Sequence, residues 1–327
     1  MTKGTLLLNL GTPDNPDTKS VRRYLREFLS DPRVVDINPV ARAVLLNLII
    51  LPFRSPKSAE AYREIWTEQG SPLLVNSIKL MQKLEVGPVA LGMRYGNPSI
   101  ESAISNLFGQ GVTDITILPL FPQHASSSSG SAIEKAVDII TQKWNIPNVR
   151  VISEFYEDAG FIQASSDIIK ETVADHNIDH YIFSYHGLPV RHINKSGCKG
   201  CEGACPEEGL SVCYRFQSYR TTRLLADKLG LSRKDYTVAF QSRLGRTPWI
   251  RPYLDDVLED CAKAGHKNIA IACPSFVADC LETLEEIGIR AREDWHKLSG
   301  GGDLHLVPCL NDDDRWVKAV SKIIKDA

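Results

Sequence analysis

No run of five basic residues occurs in this chain of 327, and the formal net charge is only -2. Without a basic surface to draw phosphates, nucleic acid is not an expected partner. No apolar stretch is long enough to span a bilayer, which takes about 20 residues. The longest, residues 43–53, is flanked by Arg42 and Arg54. It reads either as a buried helix or as an exposed apolar lip for a membrane surface or a greasy ligand. No Gly-x-Gly-x-x-Gly follows the first strand-like run and no Walker-type loop occurs, which disfavours a nucleotide cofactor. There is no internal repeat, and low complexity is confined to residues 126–129 and 300–302. The opening segment reads as a short strand, ended too soon for a secretory signal. The expected location is the cytoplasm, with peripheral contact at the inner face of the membrane if the lip is exposed. Thiols stay reduced in the cytoplasm.

Hydrophobic content of 43% and charged content of 24% describe a soluble globular protein, and the length allows two domains. Strand-like runs at 5–10, 88–93, 115–120 and 149–153 alternate with helical periods at 21–29, 100–108 and 132–144. The rhythm restarts with strands at 180–184, 236–240, 269–273 and 304–307, and helices at 160–175, 214–228, 253–264, 279–287 and 313–325. Such alternation predicts an α/β fold with two similar domains, each a parallel sheet flanked by helices. The expected division is residues 1–155 with 306–327, and residues 156–305. Ligands in such folds sit beyond the carboxyl ends of strands. The serines leading into the helix from 132 read as an N-terminal cap with room for an anion.

Two strand ends stand out. His186 follows the run 180–184 and precedes Gly187 and Pro189, which cannot extend a strand. A histidine at a strand tip can ligate a metal or take a proton, or it can be structural. After the run 269–273 comes an acidic helix start, with Asp279, Glu282, Glu285 and Glu286. Glu282 and Glu286 are spaced to share a helix face. They read either as solvated acids favoured by the helix dipole or as stacked carboxylates that pass protons or a hard cation.

Four of the eight cysteines, Cys198, Cys201, Cys205 and Cys213, form C-x2-C-x3-C-x7-C. Structural zinc more often uses two separated C-x2-C knuckles. Three thiols within eight residues, followed by Pro206, are closer to iron–sulfur ligation, with zinc as the alternative. Cys261, Cys273, Cys280 and Cys309 are scattered and read as ordinary half-buried residues, with Cys280 set apart by its closeness to Glu282.

These residues resemble the ferrochelatase family, whose members insert ferrous iron into a porphyrin. The resemblance covers most of the chain. Its most specific parts are Ser184-Tyr185-His186-Gly187-Leu188-Pro189, Gln241-Ser242 through Thr247-Pro248-Trp249, and Phe276 through Leu284. Asn9-Leu10-Gly11, Tyr62 with Gly70-Ser71-Pro72, Arg94-Tyr95, Pro122-Gln123 and Pro308-Cys309-Leu310-Asn311 also fit.

The resemblance implies two Rossmann-like domains of the class II chelatase kind, with a porphyrin cleft between them. It implies His186 as the active-site histidine and Glu282 as its facing carboxylate, both able to serve the substrate iron. Leu10, Tyr62, Arg94, Tyr95, Trp249 and Phe276 would line the porphyrin pocket, and Arg54, Lys57, Ser71 and Ser242 would lie near the propionates. The cysteine insert resembles the arrangement by which certain bacterial members hold a [2Fe-2S] cluster; zinc or another iron–sulfur cluster is the alternative. Two departures stand out: Cys280 where many relatives have histidine, and Arg290 where an acid often ends the carboxylate row.

The expected activity is iron insertion into protoporphyrin IX, with release of two protons. The alternatives are another tetrapyrrole, such as coproporphyrin, another metal such as cobalt, or a non-enzymatic iron–sulfur sensor. The expected partners are porphyrin and Fe2+, with oligomeric state left open.

Overall fold

Eight short runs, the central ones apolar and buried and the edge runs 148–151 and 303–306 more open, form two sheets in a computed structural model that describes residues 2–198, 210–243, 245 and 247–327. The chain falls into two units: residues 1–121, 125–154 and 311–327, and residues 122–124 and 155–310. The return to unit 1 thus begins at 311 rather than the expected 306, and residues 122–124 belong to unit 2.

Unit 1 holds β1 (Lys3–Thr12), β2 (Val89–Gly96), β3 (Asp114–Pro119) and β4 (Asn148–Val151), all parallel in the order β2-β1-β3-β4. Leu6, Leu8, Ile115 and Ile117 pack with Ile104, Leu107 and Ala136 from the flanking helices into a dry core. Burial on both faces makes β1, β2 and β3 largely continuous apolar runs rather than alternating ones, whereas the edge strand β4 is exposed. Asp17, Ser99 and Asp313 cap the helices Thr18–Ser30, Ile100–Gly109 and Asp314–Asp326 by accepting from exposed N–H groups. Gly11 has φ 112°, and a Cβ there would lie 1.8 Å from the Tyr95 carbonyl oxygen, so only glycine fits.

The apolar run 43–53 lies in a longer helical stretch, Pro39–Leu45, a π-helical turn Leu46–Ile50, and Leu51–Ile65. Both readings of it are partly met. Leu46 and Leu51 are buried, whereas Val40, Val44, Leu48, Ile49 and Phe53 face solvent, Phe53 with 71% of its surface exposed.

Unit 2 repeats the design with β5 (His180–His186), β6 (Tyr236–Gln241), β7 (Asn268–Ala272) and β8 (Asp303–Leu306), parallel in the order β6-β5-β7-β8. Ile182, Ala239, Ile269, Ile271 and Leu304 form its core with Ile287 and Trp295. The strand expected over 180–184 runs on to His186 because His186 pairs with Gln241. The helix expected over 279–287 is instead a short turn, Leu281–Leu284, a π-helical segment, Glu286–Ala291, and a last stretch, Arg292–Leu298. No helix among the described residues is long and apolar enough to cross a membrane.

Candidate active site

In unit 2 the carboxyl ends of β5, β6 and β7 bring His186, Gln241 and the segment after Ala272 together. His186 is the last residue of β5. Its backbone N–H donates to the Ser275 hydroxyl at 3.2 Å, and its carbonyl accepts from the Tyr214 hydroxyl at 2.9 Å. Its ring stands edge-on to Phe276, with centroids 6.4 Å apart. The ring Nδ1 lies 2.7 Å from the Gly187 carbonyl oxygen. A carbonyl only accepts, so Nδ1 carries the proton and a neutral ring keeps its lone pair on Nε2.

Glu282 sits in the short turn Leu281–Leu284. Cys280 is buried, and its thiol is pushed well above its ordinary value by burial and then by the Glu282 carboxylate, to which it is hydrogen-bonded. A neutral thiol there is a donor to Glu282. Gln241 ties this turn to the sheet: its amide nitrogen donates to the Glu282 carbonyl at 2.8 Å and reaches Glu286 Oε2 at 3.4 Å. Ser242, with φ 65°, donates its hydroxyl to the same Glu286 oxygen. Ser242 is thereby tied to the acid row. Burial and the nearby Glu282 charge push the Glu286 carboxyl up to about 7.

The row ends at Arg290. Its guanidinium grips Glu285 through two bonds, of 2.8 and 2.6 Å, and lies 3.6 Å from Glu286. Asp279 is turned the other way: it accepts from the Thr283 hydroxyl at 3.1 Å and the Cys309 N–H at 3.2 Å, so it braces the turn rather than extending the row. Trp249 is half-buried and bridges to Pro189, beside Gly187. Cys261, Cys273, Cys280 and Cys309, expected to be half-buried, are all buried.

In unit 1, Leu10 is half-buried near the end of β1. Ser71 is buried and accepts from the Thr12 hydroxyl at 2.8 Å. Tyr62 packs edge-on between Tyr24 and Trp66. Arg54 is half-buried and Lys57 exposed, three apart on the helix Leu51–Ile65. Tyr95 is fully buried, with 0% of its surface exposed. Its hydroxyl donates to Asp31 at 2.9 Å. Arg94 joins the same network, with Nη2 at 2.6 Å from Asp31 and Nε at 2.6 Å from the Ser131 hydroxyl, which itself donates to Asp31. The serine run, read as an anion site, is occupied at its ends by these bonds and by Arg33, which donates to Ser126 at 2.8 Å.

Of the cysteine insert, Cys201 and Cys205 lie outside the described residues. Cys198 and Cys213 come together: burial raises the Cys213 thiol, and Cys198 is close enough to hydrogen-bond it and raise it further. Tyr214, next in the chain, is the residue whose hydroxyl holds the His186 carbonyl.

Sequence reasoning did not find Tyr214, Ser275 or Asp31. Their roles are bonds to backbone or to distant side chains, and no spacing announces them. Glu286 had a signal, the i to i+4 step from Glu282. A separate hollow of about 570 Å³ beside β8 is lined by Arg292, Glu293, His296, Lys297, Asp303 and His305. It mixes charges of both signs and includes none of the strand-end residues. Among the described residues no three His, Cys, Asp or Glu side chains are set to hold a metal.

Comparison with known proteins agrees in sequence and fold. The family model described as Ferrochelatase matches residues 2–327. A protein named Ferrochelatase from Legionella pneumophila (strain Lens) is 50% identical over 337 residues, covering 100% of this chain and 99% of that one. One from Coxiella burnetii (strain CbuK_Q154) is 46% identical, covering 98% and 93%. Among solved structures, SirB from Bacillus subtilis with Fe3+ matches with a TM-score of 0.54 at 11% identity, covering 100% of this chain and 95% of that one. At that identity the likeness speaks for the fold.

Proposed function

The chain belongs to the ferrochelatase family and inserts iron into a porphyrin in heme biosynthesis, and from that premise we propose that His186 and Glu282 do the chemistry, with protoporphyrin IX as the ring. The reaction exchanges one Fe2+ for the two N–H protons of the macrocycle, so charge balances and no electron moves. The observation that carries the assignment is the Gly187 carbonyl on Nδ1 of His186, which leaves Nε2 as a bare lone pair at a strand end. That nitrogen accepts a pyrrole proton or meets the iron at the ring. Glu282 stabilises the imidazolium that forms, and its charge is shared with Glu286, whose raised proton affinity suits a group that takes the proton onward. The flat ring must be bent for the iron to reach four in-plane nitrogens, and contact elsewhere on the macrocycle supplies that energy. Phe276 and Trp249 offer aromatic contact in unit 2. Leu10, Tyr62, Arg54, Lys57, Ser71, Arg94 and Tyr95 in unit 1, and Ser242 in unit 2, are assigned the porphyrin roles the resemblance gave them, Arg94 and Tyr95 being held by Asp31.

The exposed apolar lip favours the greasier protoporphyrin over coproporphyrin and fits peripheral contact with a membrane. For the [2Fe-2S] cluster, the described thiols fit: Cys198 and Cys213 meet, and an all-thiol set suits iron–sulfur ligation. Cys198, Cys201, Cys205 and Cys213 would hold it. When bound, it supplies a tie across the insert, and Tyr214 passes that order to the His186 backbone. Cys198→Ser should abolish the visible absorbance and lower the melting temperature; unchanged values of both would remove the brace.

The assay is anaerobic loss of porphyrin emission on adding Fe2+, run with protoporphyrin and coproporphyrin side by side. Glu282→Gln should lose most turnover with either ring. Faster turnover of coproporphyrin would reassign the substrate, and full activity of the variant would remove Glu282 from the chemistry.

A further inference from the structure

We infer that Gln241 is a positioning residue for iron insertion, one buried amide that holds the carboxylates of Glu282 and Glu286 in register with His186. The inference rests on the roles proposed for His186 and Glu282. Gln241 ends β6 and is the parallel partner of His186 at the end of β5. Its exposure is 4%. Every polar atom it owns on this side is used. The side-chain oxygen accepts from the Ser184 hydroxyl at 2.6 Å and lies 3.8 Å from the Cys273 thiol at the end of β7. The backbone oxygen accepts from the Gly187 N–H at 2.8 Å, which fixes the turn that presents the His186 ring. The side-chain nitrogen donates to the Glu282 carbonyl at 2.8 Å and reaches Glu286 Oε2 at 3.4 Å.

The chemistry of the partners sets the orientation of the amide. A carbonyl and a carboxylate only accept, so the NH2 end must face Glu282 and Glu286. The hydroxyl and the thiol donate, so the oxygen faces the sheet. No other uncharged side chain of this length offers a donor and an acceptor at one end.

The point of attachment matters too. Glu282 lies in the short turn Leu281–Leu284, four residues ahead of the start of the π-helical segment Glu286–Ala291. There the ladder widens: the Glu285 N–H bonds the Leu281 carbonyl four residues back, and the Arg290 N–H bonds the Glu285 carbonyl five residues back. Gln241 donates to the Glu282 carbonyl just ahead of this wider segment, and so ties the turn to the sheet from outside the helical ladder.

Three variants test this against the simpler view that Gln241 is core packing. Gln241→Met keeps the length and loses both polar functions. Gln241→Asn keeps the amide and draws it back by one methylene. Gln241→Glu keeps the acceptor for Ser184 and turns an acceptor on Glu286. All three are assayed for Fe2+ insertion, porphyrin binding by fluorescence and thermal melting, with His186→Ala and Glu282→Gln alongside. Misplacing a catalytic group by about 1 Å costs on the order of a hundredfold, so kcat should fall by about 10- to 100-fold in Met and Asn. Porphyrin KM and Kd should stay within about threefold. If Gln241→Glu fails to fold, Met and Asn still decide the matter. Near-normal kcat in the Met variant overturns the inference, because packing alone would then suffice. So does a loss shared equally between kcat and porphyrin binding. Turnover retained by both His186→Ala and Glu282→Gln would instead overturn the underlying reading, whatever Gln241 does.

Discussion

Glu286 shows how position sets proton affinity. Its carboxyl is pushed up to about 7, first by burial and then by the charge of Glu282, while Ser242 and Arg290 pull it down. In the unfolded chain the same group ionises near 4.5. Between those values the folded protein holds a proton that the unfolded chain has released. Stability therefore falls as pH rises through this window, and the penalty is complete above it. Glu286→Gln keeps an acceptor for Ser242 and removes the penalty. At pH 8 it should be more stable than the parent by about 1–3 kcal/mol, and at pH 4 the two should coincide. Urea unfolding at both pH values checks this, and a difference that does not change with pH contradicts it. Asp31 has the opposite sign. Burial alone would raise its carboxyl, but the Ser131 hydroxyl, the Arg33 N–H, the Tyr95 hydroxyl and Arg94 together hold it below its ordinary value. Its contribution is present above the ordinary value and is lost as pH falls through the lowered one. Asp31→Ala strands Arg94 and should cost about 3–5 kcal/mol, read as a drop in urea midpoint at pH 7. At this scale the sequence named Arg94 and Tyr95 but not the partner that holds Tyr95. Nothing in local order shows that Asp31, 64 residues earlier, claims its hydroxyl.

At the scale of elements, the inner strands were legible because burial on both faces makes them nearly unbroken apolar runs. His186 was legible as a strand tip because Gly187 and Pro189 stop the run. The π-helical turns at Leu46–Ile50 and Glu286–Ala291 were not, since one extra residue in a turn barely disturbs a helical pattern. The spacing of Glu282 and Glu286 still brought out the acid row, because the two remain neighbours across the joint. Gly187 carries the prediction that belongs here. A Cβ on it would lie 2.8 Å from the Gln241 carbonyl oxygen and 3.3 Å from the Trp249 ring. Backbone cannot yield as a flexible side chain does, so Gly187→Ala must push β5 and β6 apart at the site. The cost should be about 1–3 kcal/mol, with insertion falling at least tenfold. A melting curve and the fluorescence assay together check it, and normal activity would show that the strand ends tolerate the shift.

For the whole molecule, two units with the same strand order carry different duties. Unit 2 holds His186 and the acid row, and unit 1 holds the apolar lip. The two-unit α/β plan could be read from the restart of the strand–helix rhythm. The exposure of the lip could not, because an apolar run reads the same whether it faces a core or solvent. Val40, Val44, Leu48, Ile49 and Phe53 are exposed together. Each large side chain removed from water is worth about 1.5–3 kcal/mol. Leu48→Ser with Phe53→Ser should therefore weaken co-sedimentation with phospholipid vesicles at least tenfold. Sedimentation equal to the parent would assign the lip elsewhere.

The most direct test of the account is iron insertion by His186→Ala under anaerobic conditions, with porphyrin affinity measured on the same sample. The account predicts that porphyrin still binds, its emission shifted by the protein, and that adding Fe2+ leaves that emission undiminished. Emission that falls at the parent's rate would contradict the assignment of the Nε2 lone pair as the group that meets the ring.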